Sequence, residues 1–194
     1  MTKTFGISQR GFTLVEIMMA AMITTVAVGM VYAIYAAGQE AWDIKTAQAD
    51  LQAQGRRAMS RMVEELRKTT RTSGQNPSPN LTIPSAPNNR QVDFYLPTDK
   101  DGDGTITDAN GDVEWATNNK IQYQYVPGQN WLRRLEGGDQ QTLALNVLDI
   151  RFTDQGIDPT LYGDELLIDL TLEKQTKRQR TLSMTFRGVV KLRN

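Results

Sequence analysis

The acidic segment that starts at Asp99 has the residue types and the spacing to bind a metal ion. Aspartates stand at its first, third and fifth positions, and Gly104 occupies the sixth. Carboxylates held this close repel one another, and a hard dication that takes six to eight oxygen ligands relieves the repulsion. The spacing is that of the opening of a calcium loop, so it predicts a candidate calcium site within residues 99–112. The candidate ligands are Asp99, Asp101, Asp103, Thr105, Asp108 and Asp112.

The same segment departs from an EF-hand in two ways. Its twelfth position holds Asn110, where an EF-hand has a bidentate glutamate, and Pro97 with a preceding strand replaces the entering helix. Asp108 or Asp112 could supply the missing carboxylate. A solvated turn without a metal is the alternative, because Asp-Gly and Asn-Gly pairs form turns on their own.

The composition argues against catalysis and against nucleic-acid binding. The chain has no histidine and no cysteine, so it lacks the usual general base near neutral pH, the commonest transition-metal ligand and any disulfide. The remaining polar groups form no recognisable catalytic constellation, and we predict that the protein is not an enzyme. Basic and acidic residues number 22 each, and the net charge of zero gives no electrostatic reason to expect nucleic acid. A solvated hairpin loop is the interpretation of the cationic cluster Lys174, Lys177, Arg178 and Arg180.

Glu16 stands at the start of an apolar stretch that is long enough to cross a membrane. Residues 17–39 contain no charged residue and no proline, and a membrane helix needs ~20 residues. Lys3 and Arg10 precede the stretch, which predicts a cytoplasmic N-terminus. A carboxylate in this position is costly without a partner. An uncleaved signal anchor, with Glu16 reaching the headgroups, is the simplest explanation from these residues alone.

The run Gly11-Phe12-Thr13-Leu14-Val15-Glu16 resembles the class III signal of type IV prepilins and type II secretion pseudopilins. The resemblance implies that a prepilin peptidase cuts between Gly11 and Phe12, methylates the new amine of Phe12 and leaves the apolar helix in place. It also implies that Glu16 pairs with the terminal amine of a neighbouring subunit. The implied partners are the prepilin peptidase, the inner membrane, and other minor pilins or pseudopilins that contact the N-terminal helix.

The apolar pattern divides the rest of the chain into a helix, a loop and a β-rich region. Ile44, Ala47, Leu51, Ala58, Met62 and Leu66 recur at helical spacing, so a helix is predicted from about Phe12 to about Thr72, with Ser73-Gly74 as its stop. Four prolines then interrupt any helix or inner strand. The expected organisation is a cleaved leader at 1–11, a transmembrane helix at 12–39, an amphipathic half at 40–74, a proline-rich loop at 75–90, and a β-rich periplasmic head at 91–194 with the acidic loop 99–112.

Alternating apolar residues predict strands in the C-terminal half. The alternation, or a β-rich run after a turn, covers residues 92–96, 121–125, 131–136, 148–152, 166–173 and 182–186. Strands with one apolar face suit an antiparallel sheet that packs on the amphipathic half of the helix. The predicted fold class is therefore α+β, with a long N-terminal helix on an antiparallel head, and the pilin resemblance implies the same fold.

A second resemblance concerns the kind of pilin. Residues 121–125, 132–134 and 143–152 are similar to a run in PilW-type minor pilins, and the J-type pseudopilin of type II secretion shares much of it. The membrane helix also lacks the proline of many major pilins, which favours a minor subunit. The expectation is a minor pilin that helps initiate or cap a type IV pilus, in the bacterial inner membrane with a single pass and a periplasmic head. The alternatives are a J-type pseudopilin at the tip of a type II secretion pseudopilus, and a calcium-dependent adhesin head on a pilin anchor.

Overall fold

The computed structural model describes residues 11–69, 80–84, 89–116 and 119–192. It contains one long helix and eight strands, which confirms the predicted α+β class. The chain divides into two units, residues 1–44 and 45–194. The elements are α1 (Leu14–Leu66), β1 (Leu81–Thr82), β2 (Gln91–Phe94), β3 (Ile121–Val126), β4 (Trp131–Glu136), β5 (Asp139–Ala144), β6 (Val147–Asp154), β7 (Glu165–Gln175) and β8 (Thr181–Lys191).

The first unit contains the apolar part of α1. Its most apolar 18-residue window has a mean hydropathy of 2.1, and none of that window is buried. By length and composition this part of the helix is able to cross a membrane. The predicted leader lies outside the described residues except for Gly11.

The second unit contains the amphipathic part of α1. One stripe of this part is buried, as the spacing predicts, and it consists of Ala47, Leu51, Gly55, Ala58, Met62 and Leu66. The helix ends at Leu66, which is earlier than the predicted end near Thr72. The reason is a tightened turn, in which Thr69 N–H bonds to Leu66 O at 3.2 Å and the Thr69 hydroxyl is buried against Asn80 O. The predicted stop at Ser73-Gly74, and residues 75–79 and 85–88 of the predicted loop, lie outside the described residues.

The strands form two antiparallel sheets instead of the single sheet that we predicted. Five strands pair in the order β1-β2-β3-β4-β5, and three pair in the order β6-β7-β8. The chain passes between the sheets at Asn146, whose φ of 58° lies in the left-handed region. Asn146 O accepts a hydrogen bond from Glu173 N, and Val147 N donates to Asn130 O, so these two backbone groups of the junction are paired.

All six predicted strand segments are confirmed, but the alternation of apolar residues did not predict β1 and β5. β1 has only two residues, and β5 is a mostly exposed edge whose polar start shows no alternation. A further difference concerns Leu148, which we predicted on the apolar face with Ile150 and Phe152. A register shift between Val147 and Asp149 inserts Leu148 as an extra residue, so Val147 is buried and Leu148 is half exposed.

The core of the second unit lies between the helix and both sheets. The helix contributes Leu51, Ala58, Met62 and Leu66, and the largest buried strand side chains include Phe94, Tyr123 and Phe152. The helix backbone approaches β8 closely at Gly55, where a Cβ atom would stand 2.1 Å from the Phe186 ring. The contact requires glycine at this helical position, because any side chain would overlap the ring.

Candidate functional site

The N-terminal end of α1 is a capped helix start. Glu16 N donates to Thr13 O at 3.1 Å and to the Thr13 hydroxyl at 3.3 Å, and Ile17 N bonds to Thr13 O at 3.2 Å. Thr13 and Glu16 thus occupy the first and fourth positions of a capping-box sequence. The first turn of a helix favours a carboxylate, because unpaired N–H groups give it partial positive charge. These contacts fix where the helix begins and place Glu16 in its first turn.

Gly11 and Phe12 come before this helix start and are exposed. Phe12 is 77% exposed, and among the described residues, chain neighbours aside, no heavy atom lies within 4 Å of a Cβ built on Gly11. The peptide bond between them therefore lies outside the helical hydrogen-bond network. The structure places the predicted cleavage position and the predicted assembly residue on opposite sides of the Thr13 cap.

The acidic loop is joined to the rest of the second unit by a short paired stem. Pro97 pairs with Trp115 and Thr107 pairs with Val113 as isolated antiparallel bridges, and Thr98 N bonds to Glu114 O at 3.0 Å. Trp115 is buried, so the stem is anchored in the body of the unit. The loop between the bridges is exposed, and its conformation depends mainly on its own hydrogen bonds.

Asp99 organises the first turn of this loop. Its Oδ1 accepts Gly102 N at 2.7 Å, and its Oδ2 accepts Gly104 N at 2.8 Å. Both glycines have φ above 80°, a conformation that other residues adopt only with strain. Backbone geometry therefore accounts for Asp99 and the two glycines of the Asp-x-Asp-Gly-x-Gly order.

Three carboxylates converge beside this turn. One oxygen each from Asp99, Asp101 and Glu114 lies within 4.8 Å of the others, and Glu114 also accepts Lys100 N at 2.6 Å. The hydrogen bond from the Asp103 backbone lowers the pKa of Asp101, but partial desolvation and the charges of Asp103, Glu114 and Asp99 outweigh it. The pKa of Asp101 is therefore raised, as expected for a carboxylate held among others.

The other predicted ligands serve local turns. Asp103 Oδ1 accepts the backbone N–H and the hydroxyl of Thr105, both at 2.7 Å, and these bonds lower the pKa of Asp103. Asp108 Oδ1 accepts the backbone N–H groups of Asp112 and Asn110, each at 2.9 Å. Among the described residues, Asp103, Thr105, Asp108 and Asp112 are not part of the converging group.

Glu114 is the residue that the sequence pattern missed. The EF-hand spacing directs attention to the twelfth position, whereas Glu114 stands at the sixteenth position counted from Asp99. A turn from Asp108 to Asp112 separates Glu114 from the start of the loop. Two hydrogen bonds close this turn, one from Asp108 N to Asp112 O and one from Gly111 N to Asp108 O. The alternation of Val113, Glu114 and Trp115 was the available signal, since it indicates a return strand that brings Glu114 back beside Asp99.

A second group of charges joins α1 to the five-stranded sheet. Arg134 Nε donates to both oxygens of Glu65, at 2.8 and 3.1 Å, and the Tyr123 hydroxyl donates to Glu65 at 2.6 Å. Arg134 also bonds to Glu136, and Arg61 Nε donates to Glu65 at 3.1 Å. Arg134 is buried, so its charge requires these partners. We call these five residues the Glu65 cluster.

The contacts of the Glu65 cluster shift its pKa values so that Glu65 and Arg134 stay charged and Tyr123 stays neutral. Burial raises the pKa of Glu65, but the hydrogen bonds from Arg134, Tyr123 and Arg61 together have a larger effect. The net shift of the Glu65 pKa is therefore downward. Burial lowers the pKa of Arg134, but its bonds to Glu65 and Glu136 raise it above its usual range. Burial and the bond to Glu65 also raise the pKa of Tyr123. The arrangement has a structural role, because the bonds from Arg134 and Tyr123 to Glu65 join α1 to β4 and β3.

The predicted cationic cluster is also partly structural. Lys174 Nζ lies 2.6 Å from Asp50 Oδ2 on α1, so it forms an ion pair. The hydrogen bond from Lys174 is the main cause that lowers the pKa of Asp50. Lys177, Arg178 and Arg180 fall in or beside the turn between β7 and β8, as the sequence predicts.

Comparison with known proteins identifies one segment. The family model described as the prokaryotic N-terminal methylation motif matches residues 7–32, and this match supports a type IV pilin-like family. The motif implies processing by a prepilin peptidase and assembly with other pilins, and an apolar N-terminal helix fits membrane anchoring. Proteins of this family are generally structural rather than enzymatic. No curated protein and no solved structure matches the chain.

Proposed function

We propose that this type IV pilin-like chain is a minor pilin, a non-enzymatic subunit that helps initiate or cap assembly of a type IV pilus. The observation that carries the proposal is the methylation motif on a capped helix start, with Glu16 in the first turn. The run similar to PilW-type minor pilins, which supplies most of β3, half of β4 and most of β6, favours a minor subunit over the bulk subunit of a filament.

The N-terminal part of α1 would make the contacts of assembly. Its apolar side chains are exposed, so they need lipid or the helices of neighbouring subunits around them. Removal of the leader would give Phe12 a free cationic amine, and Glu16 would pair with such an amine on a neighbouring subunit. A carboxylate in an apolar environment is stabilised when a cation neutralises it. The pair would therefore select one register between adjacent helices.

The proposed location follows from the charges that flank the apolar helix. Lys3 and Arg10 precede it, whereas Glu40 and Asp43 follow it. Basic residues favour the cytoplasmic side, so the chain would cross the inner membrane once and expose residues 45–194 to the periplasm. Its partners would be the prepilin peptidase and other minor pilins.

Pilus assembly in cells tests the role of Glu16. A strain that lacks the chain should lose most surface pili, and the wild-type chain should restore them. Glu16→Ala should restore few or none, because the cost of burying an unpaired amine opposes docking. The matched control is Glu64→Ala, an exposed glutamate of the same helix outside the apolar part. Normal piliation with Glu16→Ala would contradict the proposal.

A J-type pseudopilin is the alternative, because its family shares much of the β3, β4 and β6 run. The same deletion strain distinguishes the two. Loss of type II secretion with normal surface pili would assign the chain to the pseudopilus, whereas loss of pili with normal secretion supports the minor pilin.

A calcium-dependent head is the second candidate function, and the convergence of Asp99, Asp101 and Glu114 favours it. These three carboxylates would hold the ion, since hard oxygen ligands are those that calcium takes. Calcium would also relieve the repulsion that raises the pKa of Asp101. The ion would then rigidify the loop that the head presents to an adhesive target.

Calcium titration of the segment 45–194 tests this candidate. We expect millimolar calcium to raise the melting temperature of the wild-type segment, as binding to the folded state requires. Glu114→Gln should abolish the increase, whereas Asp112→Asn should keep it, because Asp112 lies outside the converging group. No shift in the wild type, or equal loss in both variants, would remove the candidate.

A further inference from the structure

A groove runs between α1 and β5 in the unit of residues 45–194. Its volume is about 480 Å³, and Gln54, Arg57, Ala58 and Arg61 form the helix wall. The opposite wall consists of five consecutive residues, 141–145. The side chains of successive strand residues point to opposite faces of a sheet. Five consecutive residues therefore line the same groove only when the strand turns its backbone edge towards that groove. We call this feature the β5 groove.

The edge of β5 has backbone groups available for pairing. β5 is the last strand in its sheet, so it pairs only with β4 among the described strands. An edge of this kind is a template for an added extended chain.

One hydrogen bond across the groove resembles the bonds that an added strand would make. The N–H of Leu145, directly after β5, donates to the side-chain carbonyl of Gln54 at 3.2 Å. A carbonyl on the helix side therefore satisfies a backbone donor at the strand edge, as the carbonyl of an added strand would. This contact shows that the N–H of Leu145 faces into the groove.

The positive charge of the β5 groove favours an occupant of negative charge. Arg57 and Arg61 line it, and no carboxylate among the described residues does. Arg57 Nε donates to Ala53 O at 3.2 Å, which orients the guanidinium, and Arg61 is partly neutralised by Glu65. The strand wall is uncharged. An acidic chain is therefore complementary to the groove, and a basic chain is repelled.

We propose that the β5 groove binds an extended acidic segment of a partner protein. The segment would run along the edge of β5, exchange backbone hydrogen bonds with residues 141–145, and place a carboxylate against Arg57. Main-chain bonds supply most of the affinity in such strand addition, and the side chains supply the specificity. The proposal is independent of leader processing, since the groove lies wholly within the second unit.

The test uses the full chain in detergent micelles and a fluorescent ten-residue peptide that alternates glutamate with threonine. We expect a saturable increase in anisotropy that weakens as salt is added, because ion pairs at the surface are screened. Hydrogen exchange of the amides of residues 141–145 should slow, while that of the β8 edge should not change. Absence of saturable binding up to about 1 mM peptide, or protection at β8 instead, would overturn the proposal.

Matched peptides and variants separate this mode of binding from nonspecific attraction. A peptide with lysine in place of glutamate, and an acidic peptide with alternate amides N-methylated, should both fail to bind. Arg57→Gln should weaken binding about fivefold, as loss of one ion pair predicts. Arg56→Gln, an exposed neighbour that does not line the groove, should leave it unchanged.

Three results of these controls would overturn the proposal. The first is equal binding of the lysine peptide, and the second is an equal effect of the two arginine variants. The third is protection of residues 141–145 that grows with protein concentration in the absence of peptide, because a second copy of the chain would then occupy the groove.

Discussion

Glu65 and Arg134 lie 69 positions apart in the sequence and meet through two hydrogen bonds. The sequence contains a sign of this pair, because Arg134 shares the buried face of β4 with Leu132. A charged residue at an inward position needs a partner of opposite charge. The partner itself could not be predicted, since it depends on how the last turns of α1 pack against β3 and β4.

The stability of the segment 45–194 should depend on the ionisation of Glu65. Its pKa in the folded protein is lower than the ordinary value of 4.5, so the stabilisation is present above that value and disappears as the pH falls through the lowered pKa. Glu65→Gln should reduce the free energy of unfolding by about 3 kcal/mol at pH 7, because it leaves the charge of Arg134 buried with one partner fewer. The difference from wild type should narrow at low pH, and urea denaturation at both pH values measures it.

Glu64→Gln is the control for this prediction. Glu64 is exposed and its ion pair with Lys68 lies at the surface, so its loss should change stability by about 0.5 kcal/mol or less. A constant difference between Glu65→Gln and wild type across the pH range would show that Glu65 acts through packing rather than charge.

At the scale of elements, α1 and β8 meet at two glycines. Gly55 on the helix faces the ring of Phe186, and Gly188 on the strand faces the end of Met59. A Cβ at Gly188 would stand 2.9 Å from the terminal methyl group of Met59, whereas a Cβ at Gly55 would overlap several ring atoms of Phe186. A flexible methionine is able to move, but a ring between helix and sheet has little room. The two contacts should therefore differ in their tolerance of a methyl group.

Gly55→Ala should destabilise the segment 45–194 by about 1–3 kcal/mol through overpacking, despite the better helix propensity of alanine. Gly188→Ala should cost about 1 kcal/mol or less, because Met59 can adjust. The double variant Gly55→Ala with Phe186→Leu should recover part of the loss, and a double-mutant cycle from denaturation midpoints measures the coupling. Additive effects would mean that the ring does not limit the approach of the helix.

Periodicity predicted the elements better than their assembly. The buried stripe of α1 and the alternating residues of β2, β3, β7 and β8 follow from local spacing, because burial acts on one face of each element. The division into two sheets and the bulge at Leu148 could not be predicted, since both depend on non-local pairing. The candidate ligand group shows the same limit, because Glu114 joins Asp99 only when the loop closes on its stem.

At the scale of the whole molecule, the two units differ in how their apolar side chains are covered. Residues 45–194 have a hydrophobic core, whereas the apolar side chains of the first unit need lipid or other subunits to cover them. In the part of the chain that the structure describes, every buried apolar residue lies from Ala47 onward. The apolar side chains before Ala47 are exposed or half-buried, so they are the part that a membrane or neighbouring subunits would cover. Residues 45–194 should therefore fold without the membrane helix.

The N-terminal residue of the chain purified from cells tests the central claim most directly. We predict that mass spectrometry of the membrane fraction finds a chain that begins at Phe12 with a methylated amine, and that cells without prepilin peptidase retain residues 1–11. A chain that still begins at Met1 in cells with active peptidase would contradict the assignment as a processed pilin-like subunit.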